Sequence, residues 1–558
     1  MMQKLTAAQA IVRCLEIERI TQAFCVPGES YLPIMNALYE HPTIRLTATR
    51  HESGAAFMAE GYAKASGKPA VVMATRAVGA ANLSIGVHTA QQDSTPMIVF
   101  LGQVDSRFRG REGFQETDLE RFFAPIAKWA VEVSSAERIP EIVQRAVRLA
   151  VTGRPGPVVV AFPEDVLNKE VTVRFSDPLR LSKPHPDDES IGEAVRLLAN
   201  AERPLILAGG GIKWADAEDD LLRFSESTGI PVMASFRRHD VFPNHHPHYV
   251  GHLGLAPAKG IVETAKSADV VLVLGSRLSE VTTQDYALFS ANQQIIHIDC
   301  DASVVGKAVV PDLGIISDCR RALLALQNQA QGWIDPSRFT QWREERRKVY
   351  VQASTLDWGG TTELQEGLHP KAVIQALIEE LPKDAIITND AGNFAGWLHA
   401  YYPFTEKKTY VGPTSGAMGY GFPAALGVKM AQPNRVVVSL SGDGGFMMTM
   451  QELETAVRER LSVMALVFNN AMYGTIRMHQ EKMFPNRVIA TDLGSVDFAA
   501  VARAMNAESM RVQTVDDLRK ALRLALTKRS DGPFLIDIKT DPEIISVGST
   551  LSELKKRL

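Results

Sequence analysis

The chain has 558 residues and a formal net charge of −4, with 45% hydrophobic and 22% charged residues. This balance is that of a soluble protein with several globular domains, and it excludes wholesale disorder. The small net charge gives no reason to expect a nucleic-acid or membrane partner, and no apolar run approaches the ~18 residues that span a bilayer. The four cysteines show no CxxC spacing, which predicts free thiols in a reducing cytoplasm.

Short apolar runs alternate with helical patterns, which predicts an α/β fold of three doubly wound parallel-sheet domains. The N-terminal stretch, residues 1–20, is interrupted by Arg13 and Glu16 and predicts an amphipathic helix, not a signal peptide. The predicted domains cover residues 1–175, 190–345 and 365–550, with candidate linkers SDPLRLSKPHPDDES and ASTLDWGGTTELQEG between them. Polar residues follow apolar strands in both the first and the third domain, as they would in related folds.

In the first domain, an apolar strand is predicted to end near His51 and a helix to begin at Glu52. The inner face of that helix would consist of Ala55, Ala56, Met58 and Ala59. Taken alone, Glu52 is a first-turn carboxylate of the kind that the helix dipole favours. Whether it is also catalytic depends on what the other domains supply.

The middle domain contains the run PLILAGGG, which ends at residue 211. Its glycines lack the GxGxxG spacing of a dinucleotide-binding turn. We therefore interpret this segment as a plain strand-to-helix turn.

The third domain contains the most informative pattern, GDG at residues 442–444 and two asparagines at 469–470. Apolar runs before each motif and a helical pattern between them predict a β-α-β unit with parallel strands. Asp443 and Asn470 would both leave the carboxyl ends of these strands, where open α/β sheets bind ligands. Their oxygens suit Mg²⁺, with the carbonyl of Met472 as a third ligand and a diphosphate completing the shell. The pattern predicts a site for a diphosphate held through a metal ion.

This spacing resembles the thiamin diphosphate motif, and the chemistry of that cofactor has two further requirements. One is a carboxylic acid that interacts with the pyrimidine, so that the cofactor can lose its C2 proton; Glu52 is the candidate. The other is a bulky residue that bends the cofactor, and the segment SGAMGYG offers Met418 among small residues that include Gly416. Without this context, the same segment is an ordinary glycine-rich loop.

Together these motifs resemble the acetolactate synthase branch of thiamin diphosphate enzymes. The resemblance extends over VPGESYLPIMNAL, RHESGAAFMAEGYAKASGKP, DSTPMIVFLGQV, GAMGYGFPAALG and GDGGF with NNAMYGT. It implies that the first domain binds the pyrimidine, that the last binds the diphosphate, and that the middle domain binds FAD or nothing. It also implies a homodimer at minimum, with a homotetramer expected, because Glu52 of one subunit meets the metal motif of another.

The resemblance assigns the site residues as follows. Glu52 would activate the cofactor. Beyond the resemblance, we expect Glu29, Gln115 and His479 to line the substrate pocket. The metal ligands are Asp443, Asn470 and Met472. The cofactor-binding positions are Ala391, Gly392, Asn393, Gly416, Met418, Gly442, Gly444, Gly445, Gly474 and Thr475.

Departures from the family pattern bear on the substrate and on FAD. His479 stands where acetolactate synthases carry a tryptophan, so it is either a donor to the substrate or an exposed helix residue. Glu29 replaces a small residue and is either a second proton shuttle, as an acid is in pyruvate decarboxylases, or a helix cap. The paired histidines of decarboxylases are absent, with Gln115 near their place. In the middle domain, Ala256 and Pro257 replace flavin-contacting residues, which argues against bound FAD.

The leading interpretation is a carboligase or lyase that decarboxylates a 2-oxo acid and adds the resulting enamine to an aldehyde or keto-acid acceptor. The main alternative is a non-oxidative 2-oxo acid decarboxylase. A pyruvate oxidase-type enzyme would require FAD. A catalytically silent paralogue would be expected to lack Glu52, Asp443 or Asn470, and all three are present.

Overall fold

The computed structural model describes residues 2–357, 367–528 and 532–556. It contains three six-stranded sheets whose strands are all parallel, so the predicted three-domain α/β class is confirmed. Residues 174–187, between the first two sheets, carry no helix or strand, as expected of a linker. Most of the second predicted linker, residues 358–366, lies outside the described residues.

The first sheet has the strand order β3-β2-β4-β5-β7-β6. The predicted N-terminal helix is present at residues 7–17, but residues 3–6 before it form a short strand, because they pair antiparallel with a strand at the end of this domain. The strands are β1 (Gln3–Thr6), β2 (Gln22–Cys25), β3 (Arg45–Ala48), β4 (Ala70–Thr75), β5 (Met97–Gln103), β6 (Trp129–Glu132), β7 (Pro157–Pro163) and β8 (Glu170–Val173). The helices are α1 (Ala7–Ile17), α2 (Leu32–Tyr39), α3 (Glu52–Ser66), α4 (Arg76–Asp93), α5 (Leu119–Phe123), α6 (Ile139–Val151) and α7 (Glu164–Leu167), with 3-10 turns at Glu29–Tyr31, Ser106–Phe108 and Ala136–Arg138.

The middle sheet has the order β11-β10-β9-β12-β13-β14, which is the doubly wound order of dinucleotide-binding folds. Its strands are β9 (Pro204–Ala208), β10 (Val232–Ala234), β11 (Tyr249–His252), β12 (Val270–Leu274), β13 (Gln294–Asp299) and β14 (Leu313–Ile316). Its helices are α8 (Asp188–Asn200), α9 (Gly210–Ala215), α10 (Glu218–Thr228), α11 (Lys259–Ser267), α12 (Cys319–Ala330) and α13 (Thr340–Ser354).

The third sheet has the order β16-β15-β17-β18-β20-β19. Counted within each domain, this is the same order as in the first sheet, so the first and third domains share one topology. The strands are β15 (Ile386–Asn389), β16 (Tyr410–Val411), β17 (Val437–Gly442), β18 (Met464–Asn469), β19 (Glu508–Val512) and β20 (Phe534–Lys539). The helices are α14 (Pro370–Glu380), α15 (Phe394–Tyr401), α16 (Gly421–Ala431), α17 (Asp443–Thr449), α18 (Glu452–Arg458), α19 (Gly474–Met483), α20 (Phe498–Ala504), α21 (Val515–Thr527) and α22 (Leu551–Lys556).

Helix α3 packs directly against α16, and this contact joins the first domain to the third. Glycines bring the two backbones together: a Cβ atom on Gly61 would lie 2.2 Å from the carbonyl oxygen of Ala424, and one on Gly427 would lie 1.8 Å from that of Met58. Helix α3 is therefore buried on every side from Glu52 to Ala63, not only on its predicted inner face. The helix that carries Glu52 is fixed by two domains.

Candidate active site

A cavity of about 250 Å³ opens at the carboxyl edge of the third sheet. It lies at the switch point between β15 and β17, where the chain leaves the sheet in opposite directions and where such sheets bind ligands. All cofactor-binding and metal-ligating positions predicted from the sequence line this one cavity. They are Ala391, Gly392, Asn393, Gly416, Met418, Gly442, Asp443, Gly444, Gly445, Asn470, Met472, Gly474 and Thr475.

Asp443 has a buried carboxyl oxygen with no protein partner. It is the first residue of α17, and its Oδ1 accepts a hydrogen bond from the backbone N–H of Gly444 at 2.8 Å, while Oδ2 is buried and unpaired. Burial raises the pKa of Asp443, and surrounding backbone N–H groups oppose that shift. An orphaned, buried carboxylate oxygen at a cavity wall is the feature expected of a metal ligand before the ion binds.

The turn after β18 places the other two predicted ligands beside Asp443. Ala471 has a left-handed backbone (φ 54°), and the backbone N–H of Met472 donates to Oδ1 of Asn470 at 3.3 Å. The carbonyl of Met472 accepts from the N–H of Gly474 at 2.9 Å and keeps a second lone pair. This reversal brings the Asn470 amide and the Met472 carbonyl to the same cavity as Asp443.

Two glycines of the GDGG segment make room that no other residue would leave. A Cβ atom on Gly444 would lie 2.5 Å from the ring of Tyr473, and one on Gly445 would lie 2.5 Å from Oδ2 of Asp390. Asp390 is fully buried, its Oδ1 accepts from the N–H of Gly421, and burial raises its pKa to about 6. The glycines therefore line the cavity with backbone, and Asp390 supports them from behind.

The opposite wall is held together by Asn393 and Thr475. The Thr475 hydroxyl lies 3.1 Å from both the backbone nitrogen and the Oδ1 of Asn393. The Asn393 amide also donates to the carbonyl of Ile545 at 2.9 Å. Asn393 thus links α19 and the C-terminal segment to the loop after β15.

The loop that carries Gly416 and Met418 is anchored by the first domain. Asp93 accepts from the backbone N–H of Thr414 at 3.1 Å, and the Lys64 ammonium donates to the carbonyl of Gly412 at 3.0 Å. Lys64 also forms buried ion pairs with Glu60 (2.8 Å) and Asp93 (2.9 Å). Sequence reasoning did not single out Lys64 and Asp93, although both lie in segments that carry the family resemblance, because their backbone partners at Gly412 and Thr414 are more than 300 residues away.

Glu52 is buried at the carboxyl edge of the first sheet. It is 8% exposed and is the first residue of α3, as predicted. Its Oε2 accepts a hydrogen bond from the amide of Asn82 at 2.9 Å, and a Cβ on Gly79 would lie 3.2 Å from Oε1. Asn82 therefore orients the carboxyl, and the first turn of α4 approaches it closely because position 79 is glycine.

Glu29 and Gln115 lie at the same edge, around Arg76. Glu29 begins a 3-10 turn, its side chain is 63% exposed and it makes no capping hydrogen bond, so the capping alternative has no support in the geometry. The Arg76 guanidinium lies 3.9 Å from Glu29 and pairs with Glu164. Gln115 has a left-handed backbone (φ 64°) and a buried, unpaired Oε1. Arg76 follows β4 and contacts carboxylates in the loops after β2 and β7. No signal in the sequence pointed to it.

His479 lies apart from these groups within a single chain. It is exposed on α19, and it does not line the cavity of the third domain. Nor do Glu52, Glu29 and Gln115, since every residue around that cavity comes from the third domain. One chain therefore holds the diphosphate half and the acid half of the predicted site at separate places.

Three successive segments match domains of one enzyme family. Residues 5–122 match the N-terminal TPP binding domain of thiamine pyrophosphate enzymes, residues 191–326 the central domain and residues 390–538 the C-terminal TPP binding domain. The chain is 33% identical to a probable acetolactate synthase large subunit of Methanocaldococcus jannaschii, over 96% of this chain and 92% of that protein. The chain belongs to the thiamine pyrophosphate enzymes.

Two further relatives are similar over almost their whole length. The acetolactate synthase large subunit of Corynebacterium glutamicum is 32% identical, with 100% of this chain and 91% of that protein covered. Acetolactate synthase isozyme 3 large subunit of Escherichia coli is 32% identical, with 97% and 96% covered. The predicted family and the dependence on thiamine pyrophosphate (thiamin diphosphate) are thereby confirmed.

The residues around the cavity suit this cofactor together with a divalent ion. Within the described residues no group of three or more His, Cys, Asp or Glu side chains could hold a metal. A metal here would therefore depend on one carboxylate, one amide and one carbonyl, which is the sparse oxygen set that Mg²⁺ completes with phosphate oxygens and water. No helix in the described part of the chain is long and apolar enough to cross a membrane.

Proposed function

We propose that this thiamine pyrophosphate enzyme is a carboligase that decarboxylates a 2-oxo acid and joins the remaining fragment to an aldehyde or keto-acid acceptor. The observation that carries the proposal is the single cavity that gathers all the predicted cofactor and metal positions, in a chain similar to acetolactate synthase large subunits. When bound, the cofactor supplies an electron sink for cleavage of the bond next to a carbonyl. Asp443, Asn470 and Met472 would hold Mg²⁺ against its diphosphate.

The protein's own residues would then manage orientation and protons. Glu52, held by Asn82, would exchange a proton with the pyrimidine ring of a bound cofactor, and Met418 would support the cofactor from the loop after β16. Glu29, exposed beside Arg76, would move a proton at the substrate carbon. His479 and Gln115 line the substrate side, with the unpaired Oε1 of Gln115 available to a donor on the substrate.

The second half of each site is supplied by another copy of the chain, so we infer a homodimer at minimum, with a homotetramer as the expected assembly. Apolar side chains are exposed next to both halves: Val78 (50%) and Ile85 (43%) on α4, and Met447 (46%) and Met448 (48%) on α17. Exposed apolar surface of this kind favours association. The four cysteines are free, three of them buried, which supports a reducing, cytoplasmic compartment.

We infer that the enzyme works without FAD. A cavity of about 560 Å³ is lined mainly by residues of the first and middle domains, but three of the arginines that line it already contact the end of α4. Arg154 donates to the carbonyl of Gln91 at 2.7 Å, Arg277 to that of Gln92 at 2.5 Å, and Arg238 lies 3.4 Å from Oδ1 of Asp93. Absorption spectroscopy of the purified protein and of its denatured supernatant tests this inference; a stoichiometric flavin spectrum would refute it.

The experiment that tests the proposed function is NMR analysis of products from pyruvate, with thiamine pyrophosphate and Mg²⁺ added and no flavin. Acetolactate is the expected product if His479 accommodates a keto-acid acceptor. Acetaldehyde alone would instead establish simple decarboxylation, which the exposed Glu29 carboxyl beside Arg76 favours as the second candidate. Protein that binds the cofactor but forms neither product would require a larger 2-oxo acid as donor.

A further inference from the structure

A buried carboxyl of the third domain contacts the segment just before Glu52. Glu452 is the first residue of α18 and is 0% exposed. Its Oε1 accepts from the backbone N–H of His51 at 3.0 Å, and both of its carboxyl oxygens lie 3.2 Å from the backbone nitrogen of Arg50. The contact joins residues some 400 positions apart in sequence.

This contact is tight on both sides. A Cβ atom on Gly54 would lie 2.3 Å from Oε1 of Glu452, so the first turn of α3 can approach the carboxyl only because position 54 is glycine. On the other side, the hydroxyl of Thr455 donates to Oε2 at 2.6 Å. Both oxygens of Glu452 are therefore committed, and the carboxyl cannot turn without breaking a hydrogen bond.

No Lys or Arg side chain in the described part of the chain forms an ion pair with Glu452. Burial raises its pKa to about 7, and the neighbouring carboxyl of Glu454 acts in the same direction. The nearby cation, Arg50, turns its guanidinium towards Glu454 at 4.0 Å. Burying a carboxyl against backbone N–H groups without a cation is costly, and the groups that Glu452 holds are the two backbone amides directly before Glu52.

We propose that Glu452 is a positioning residue that fixes the start of α3 and thereby aims the carboxyl of Glu52 at the cofactor. The proposal rests on the role proposed above for Glu52. Glu452 does not line the cofactor cavity, so it acts through the backbone of Arg50 and His51. Asn82 holds the far end of the Glu52 side chain, and Glu452 holds the backbone from which that side chain extends.

The test compares Glu452→Gln with Glu454→Gln, a matched change of the half-exposed carboxyl two residues later. Glutamine keeps the volume of Glu452 but replaces one of its two accepting oxygens by an NH2 group, which can only donate, among the donors that contact it. In Glu452→Gln we expect faster hydrogen exchange of the backbone amides of residues 50 and 51. We also expect the C2 proton of bound thiamine pyrophosphate to exchange about 10- to 100-fold more slowly, because a small displacement of a catalytic group lowers the reaction rate by such factors. The affinity for the cofactor should be unchanged. Glu454→Gln should change neither quantity.

The outcomes separate this proposal from the proposed function. If Glu452→Gln leaves C2 exchange at the wild-type rate while Glu52→Gln slows it, Glu52 keeps its role and the positioning role of Glu452 is wrong. If Glu52→Gln itself has no effect, both fail. Should Glu452→Gln not fold, Thr455→Val removes one hydrogen bond to the same carboxyl and should slow C2 exchange by a smaller factor; an unchanged rate there would also overturn the proposal.

Discussion

The first and third domains share one strand order, and equivalent positions at their carboxyl edges carry opposite chemistry. The residue that opens the helix after the third strand is Arg76 in the first domain and Asp443 in the third. Arg76 is engaged by carboxylates, whereas Asp443 keeps a buried oxygen free among glycines. After the second strand, the first domain presents Glu52 and the third presents the loop that includes Met418. One topology thus provides both an acid-bearing half and a cavity-bearing half of a site.

The difference lies in what fills the switch point. In the third domain, glycines at 442, 444 and 445 leave backbone and empty volume. In the first domain, the same region is occupied by the charged side chains of Glu29, Arg76 and Glu164. A diphosphate fits the former, and proton transfer suits the latter. On the proposed function, the two halves would work together when the cavity of one copy faces the acid of another.

The largest expected effect tests the acid half. Glu52→Gln removes the ionisable group at the edge of the first sheet while the cavity of the third domain is untouched. We expect kcat to fall about 10²- to 10⁴-fold, the range typical of general acid–base groups, with little change in cofactor affinity. Steady-state kinetics and cofactor titration measure both. Wild-type turnover in Glu52→Gln would contradict a catalytic role for the first domain. The control is Glu40→Gln, which changes an exposed carboxyl of the same domain.

The next effect tests the cavity half. Asp443→Asn keeps the shape of the side chain but removes its charge and one acceptor site. We expect the apparent affinity for Mg²⁺ to fall at least ~10- to 100-fold, because mutation of residues that only support metal ligands already lowers metal affinity by that factor. Activity measured against Mg²⁺ concentration gives the shift. An unchanged Mg²⁺ dependence would show that the orphaned oxygen of Asp443 is not a ligand.

The third effect concerns Lys64, which connects the first domain to the third within one chain. Its loss should lower stability more than it changes catalysis. Lys64→Met leaves Glu60 and Asp93 buried without their shared cation. Breaking a buried ion pair from one side costs about 3–5 kcal/mol, so the free energy of unfolding should fall by that amount in chemical denaturation. Lys68→Met, an exposed lysine on the same segment, should change it by less than about 0.5 kcal/mol. Equal effects of the two variants would contradict a structural role for Lys64.

The smallest effect concerns Asp390, beneath the cavity. Burial raises its pKa from 3.8 to about 6, so the folded state holds a proton that the unfolded state has already lost. Stability from this group is present below pH about 4 and is lost as the pH rises to about 6. In Asp390→Asn this loss disappears, and its free energy of unfolding relative to wild type should rise by up to about 3 kcal/mol over that window. If the difference in free energy of unfolding between Asp390→Asn and wild type does not change with pH, the pKa of Asp390 is not raised.

The cavity half could be predicted from sequence because its residues belong to short motifs at strand ends. Asp443, Asn470 and Met472 follow two apolar runs, and a β-α-β unit places such strand ends at one edge. Lys64, Asp93 and Glu452 could not be found in this way. Each has a backbone partner hundreds of residues away, and a buried polar contact of this kind leaves no periodic signal in the sequence. The role of Arg76 could not be predicted for the same reason, since only the fold brings Glu29 and Glu164 close to it.

The measurement that tests the central claim most directly is complementation between two inactive variants. Glu52→Gln chains and Asp443→Asn chains, carrying different affinity tags, are expressed together and the mixed dimer is purified. If each site combines Glu52 of one copy with Asp443 of the other, one of the two sites in the mixed dimer is intact, and about half of the wild-type activity per dimer should return. A mixed dimer as inactive as its parents would show that both residues act within one chain, and would contradict the account.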